Sequence, residues 1–240
     1  MEYADLLRER YANENALASQ YSGGQLYAEI SKLRKEVTLL NGVGTYRFDI
    51  KATDINNAYE KSLDRNDVFI PSRIGLFVAL QSNEKPSTQI LHSYIPVAGE
   101  NPSVHEVGFI NNDAEAIYNG YLRWQIGNGV LFSGYPTERF RKVPQQQGAF
   151  VLNSSDEAVN EQIKSEWSID CATELMIPRI IVAGTRDHNI TVNFNGEGLS
   201  FACTEGYTPK LVLYMDGFLV KGGCEFYDDQ NPNAKAVGRY

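Results

Sequence analysis

From about Glu36 to Gly222 the chain is written in short apolar and aromatic stretches separated by Gly, Asn, Asp and Pro. That rhythm constrains the fold more than any other feature. Strands that follow one another without long intervening helices must pair antiparallel, because parallel pairing needs crossover connections. The expected class is therefore mainly β, an antiparallel sandwich or barrel.

The segments differ in how clearly they read. Residues 45–52 (TYRFDIKA) alternate Tyr46, Phe48 and Ile50 against Arg47, Asp49 and Lys51, a strand with one buried and one wet face. Residues 68–80 hold two apolar runs broken at Pro71-Ser72, and residues 89–97 follow as another strand. In residues 116–136, Gly127-Asn128-Gly129 separates two apolar runs, and such an insert supplies the positive φ a tight hairpin needs. Further strands are expected at residues 177–183, 189–194, 199–203, 210–214 and 218–220, with Asp216-Gly217 as a second hairpin turn. The total is about fourteen candidates. As about eight strands fill one jelly roll, one elaborated jelly-roll-type sandwich and two small barrels both stay open, with a split near residues 150–175.

Ahead of the β region lies an expected helical arm, residues 1–41. Residues 3–20 contain few helix breakers, and Gly23-Gly24 ends them. Leu26, Ile30, Leu33, Val37 and Leu40 then step by four, three, four and three, which reads as a second helix with a narrow apolar seam. That seam suits either the chain's own β domain or a neighbouring subunit. The β region is set at residues 42–224 and an extended tail at 225–240. One interior helix is expected at residues 154–167, where Ser154 and Glu157 form a capping box. Residues 156–174 carry six acids against one base, Lys164, which reads as a solvated face or as a dock for a basic partner.

Charge and cysteine usage exclude several roles. The net charge is −8, and the first forty residues hold five basic side chains against six acidic ones. Gripping a phosphate backbone needs clustered cations, so nucleic acid is not expected as a direct ligand. Cys171, Cys203 and Cys224 lack metal-ligand spacing and read as free thiols of a protein made in a reducing cytoplasm. No apolar run is long enough to cross a bilayer as a helix.

No reaction is written in the chain. GxSxG, GxGxxG and GxxxxGK[ST] do not occur, and His92, His105 and His188 stand beside no nucleophile motif. His105-Glu106 and Asp187-His188 have ligand chemistry but turn-like surroundings. Neither enzyme activity nor a cofactor or metal is expected. The aromatics are more informative. On strands, Tyr118 and Trp124 would share one face and Tyr121 the other, serving as core, subunit contact or sugar platform.

Three stretches together resemble capsid proteins of small tailless, lipid-containing icosahedral bacteriophages: residues 67–80 (DVFIPSRIGLFVAL), 118–143 (YNGYLRWQIGNGVLFSGYPTERFRKV) and 211–222 (LVLYMDGFLVKG). The resemblance implies a jelly-roll capsid or capsid-associated subunit. It would self-assemble into a shell with its own copies and other virion proteins, close to an internal membrane. The residues expected at subunit contacts are Leu26, Ile30, Leu33, Val37, Leu40, Tyr118, Tyr121, Trp124, Arg139 and Arg141. Arg139, Arg141 and Lys142 are expected to meet the acidic 156–174 block of a neighbour. A carbohydrate-binding β-sandwich using the Tyr118/Trp124 face is the alternative.

Overall fold

The computed structural model describes residues 3–51, 60–96, 98, 107–142, 172–176 and 180–227. Helix α1 (Tyr3–Tyr21) is followed by β1 (Ala28–Thr38), β2 (Thr45–Phe48), β3 (Val68–Ser82), β4 (Gln89–His92), β5 (Tyr121–Ile126) and β6 (Gly129–Pro136). Then come β7 (Glu174–Leu175), β8 (Val182–Ala183), β9 (His188–Asn193), β10 (Tyr207–Val220) and a single helical turn, α2 (Cys224–Tyr227). Short 3₁₀ turns occupy Asp113–Asn119 and Thr137–Phe140.

Every pair of described strands is antiparallel, as the punctuation predicts. One sheet runs β1-β10-β3-β4, and β7 and β8 also pair with β3. The other runs β2-β9-β5-β6. Inward side chains of both sheets meet in one core: Leu33, Leu76, Val78, Leu211, Leu213 and Met215 from the first, and Tyr46, Phe48, Leu122, Trp124, Ile190 and Val192 from the second. Helix α1 packs outside the first sheet, with Ala18 against Ala28, Ile70, Phe218 and Val220. Gly23 and Gly24, at φ 63° and 88°, turn the chain from α1 into β1.

Four expectations need correction. The apolar seam from Leu26 to Leu40 is not a helix. It contains the eleven-residue strand β1, paired with β10 from Ala28 opposite Val220 to Thr38 opposite Lys210. Alternation was hidden because β1's inward positions are Ser31, Leu33, Lys35 and Val37, and the inward lysine is neutralised by Glu60 at 2.9 Å. The helical arm of residues 1–41 therefore shortens to α1 (Tyr3–Tyr21).

Asp216-Gly217 is not a hairpin turn either. It lies within the fourteen-residue β10, at a register shift opposite Pro71. A Cβ on Gly217 would sit 2.2 Å from the Ile70 carbonyl oxygen, so glycine lets the strands close there. The same bulge absorbs Pro71-Ser72, and β3 runs unbroken for fifteen residues instead of splitting into two runs. Residues 199–203 form only an isolated bridge, Cys203 to Phe109. The interior helix expected at residues 154–167 and the tail beyond Tyr227 lie outside the described residues.

Candidate interaction surface

Half of the expected contact residues, Tyr118, Tyr121, Trp124, Arg139 and Arg141, fall on the β5–β6 hairpin or the segments flanking it, and the other half on or beside β1. The hairpin turn has positive φ at Gly127 (55°) and at no non-glycine residue, the pattern of a type II′ connection. Leu122 and Trp124 point inward and are fully buried, whereas Tyr121 is 46 % exposed. Tyr118 is not on a strand. It sits in the 3₁₀ turn Asp113–Asn119 and is 1 % exposed. The Thr137 hydroxyl clasps that turn to the hairpin base, donating to the Ile117 carbonyl at 2.7 Å and accepting from the Gly120 N–H at 3.0 Å. Burial pushes the Tyr118 hydroxyl pKa up, and the nearby Glu115 carboxylate adds to the effect. The anticipated Tyr118/Trp124 platform is therefore core, and it offers no aromatic face to a sugar. Tyr121 is the member of the set that faces solvent.

Behind the hairpin the rings follow one another in edge-on and tilted contacts. Trp124 meets Phe132 at 6.1 Å, Phe132 meets Tyr135 at 5.2 Å, and Tyr135 meets Phe140 at 5.6 Å. These contacts hold β6 from its inner side. Its outer edge pairs with no described strand, and Val130 is 52 % exposed.

The basic stretch after β6 is already engaged within the chain. Arg141 grips Glu115 with two hydrogen bonds, at 3.0 and 3.1 Å. That fork geometry favours the charged guanidinium and raises its pKa. Lys142 pairs with Glu174 at 2.9 Å, and Arg139 lies 3.9 Å from the same carboxylate while its guanidinium sits over the Tyr135 ring. Glu174 is the last acid of the block expected to receive these cations from a neighbour. The observed partners of Arg139, Arg141 and Lys142 are instead in their own chain.

The β1 residues separate by face. Leu33 is core and Val37 packs against it. Leu26 is half-buried beside α1's contact, while Ile30 (71 %) and Leu40 (57 %) are exposed. Ile30 borders a shallow apolar groove of about 110 Å³ with Leu7, Tyr11 and Phe218. Sequence reasoning missed the polar network on the same strand. The nearly enclosed Glu36 carboxylate accepts from Arg34 at 2.8 Å, Gln89 at 3.0 Å and Lys210 at 3.3 Å. Arg34 and Glu36 on β1, Gln89 on β4 and Lys210 on β10 carry no spacing signal that would bring the three strands together.

Burial holds His92 down to about 4 and lowers His188, whose Nε2 lies 2.9 Å from the Ala183 carbonyl oxygen. His105 lies outside the described residues. No cluster of three or more His, Cys, Asp or Glu among the described residues could hold a metal. Cys203 and Cys224 are free thiols. No described helix is long and apolar enough to cross a membrane. Comparisons of the chain with protein-family models, curated proteins and solved structures give no match.

Proposed function

We propose that this chain is a jelly-roll subunit of a virion, a capsid or capsid-associated protein that tiles a shell with copies of itself. The strand order carries the reading. Folding one long antiparallel ribbon in half pairs the first strand with the last and works inward. Here β1 pairs β10, β2 pairs β9, β3 pairs β7 and β8, and β5 pairs β6. Rolling such a ribbon brings its rungs together sideways, and β10 lies against β3 and β9 against β5. This pairing order supports a double Greek key reading, with β4 as an added strand on β3.

A fold by itself does not choose a function, and capsid and lectin domains both use this one. Two observations favour the shell. The stretches that resemble phage capsid proteins, residues 67–80, 118–143 and 211–222, coincide with β3, the β5–β6 hairpin and β10. The carbohydrate reading loses Tyr118 and Trp124 to the core. Copies and other virion proteins would be held by apolar burial worth roughly 25 cal/mol per Å². A net charge of −8 suits a wall facing lipid or protein better than one gripping bare genome.

Electron microscopy and light scattering of the purified protein test this. Ordered particles or a defined higher oligomer are expected. A strict monomer at high concentration across salt and pH would overturn the reading.

A further inference from the structure

We infer that the edge of β6 that no described strand covers docks a second copy of this chain, β6 against β6 in antiparallel register about a two-fold axis. The inference rests on the assembly reading above and names the surface it uses.

A strand at a sheet edge presents unpaired N–H and C=O groups, and proteins blunt such edges with charge, brevity or a covering segment. Among the described strands, three of the four sheet edges are blunted. β2 is four residues long and carries Arg47, and β4 is four residues long. β1 carries Lys32, Arg34, Lys35 and Glu36, and its middle is covered where Arg34 and Lys61 exchange backbone hydrogen bonds at 3.3 and 3.0 Å. β6 is the exception. Its eight residues, GVLFSGYP, contain no charged side chain, and its only described partner is β5. Two register shifts twist it against β5, and Pro136 closes one end. The usable span is therefore residues 130–134, where Val130, Ser133 and Gly134 are exposed.

Charge selects the occupant. Two copies, each at −8, repel at long range, so self-association needs a neutral patch. Two-fold pairing sets one strand against its own reverse, and any charge on it would face or flank its own copy. β1 and β2 fail that condition and β6 meets it. An acidic or basic foreign peptide would find no charge on this edge to answer its own.

The test is amide hydrogen exchange over a dilution series, joined to sedimentation of wild type and of the double variant Val130→Lys/Ser133→Lys. Residues 130–134 should exchange slowly when concentrated and faster on dilution, with β9 unchanged. The variant should weaken association by about tenfold or more, with circular dichroism and Tm preserved. If wild type assembles and the variant assembles equally well, this edge is refuted while the assembly reading stands. Protection of residues 130–134 that ignores dilution means the chain covers the edge itself, and also refutes it. Protection that appears only when a different protein is added has the same consequence. Wild type that never associates removes the assembly reading, and the edge with it.

Discussion

Lys35 Nζ and Glu60 Oε2 lie 2.9 Å apart, with both side chains almost enclosed at 5 % and 6 % exposure. Glu60 also accepts the Glu36 backbone N–H at 2.8 Å, so one carboxylate neutralises an inward lysine and ties down the β1 edge. Removing one partner of such a pair strands the other charge, at a cost of about 3–5 kcal/mol. Glu60→Ala should lower unfolding free energy by that order in urea titrations. Lys35→Met combined with Glu60→Gln should recover most of the loss, since no charge is left buried. Equal stability of Glu60→Ala and wild type would contradict the placement.

The two faces of β5 should respond in opposite ways. Trp124→Ala empties a fully buried site and should cost about 3–5 kcal/mol. Tyr121→Ala, on the solvent side, should stay within about 0.5 kcal/mol of wild type. Thermal or chemical denaturation of the two variants measures the contrast. A Tyr121 variant as damaged as the Trp124 variant would reverse the assigned faces.

Gly217→Ala should destabilise by more than about 1 kcal/mol, because the added methyl meets the Ile70 carbonyl oxygen at the bulge. A change at Gly134, where a Cβ meets nothing nearby, should be well tolerated. Matched denaturation curves decide between them.

Acid should weaken the fold before the carboxylates titrate. His92 is held to about 4 and His188 is also lowered, both chiefly by burial, against 6.5 in the unfolded chain. Below pH 6.5 the unfolded state therefore binds more protons than the folded state, and stability falls as pH drops toward 4. The steepest slope is about 1.4 kcal/mol per pH unit for each histidine. Urea midpoints at pH 7 and pH 5 should differ in that direction, and His92→Gln should shrink the difference. Identical midpoints would show that these rings are freely hydrated.

Strands with one wet face were legible: β2, β5 and β9 alternate as their sequences do, and Gly127-Asn128 turns the hairpin it predicts. The legible signals are local. β1 was misread because Lys35 points inward and breaks the pattern, and its neutralising Glu60 is remote in sequence. Asp216-Gly217 was misread because the dipeptide that suits a turn also suits a bulge, and the choice depends on Ile70, more than a hundred residues away. Alternation shows that Trp124 and Tyr121 face opposite ways, but not which way is in. The intrachain partners of Arg139 and Arg141 were not legible for the same reason, since Glu174 and Glu115 reach them only through the tertiary fold.

Because Ala28 stands directly across from Val220, the ribbon's start and finish leave the sandwich at one corner. Helix α1 therefore hands the chain to β1 at the same corner where β10 hands it on to the turn α2, so a change in how α1 seats there would be felt by both.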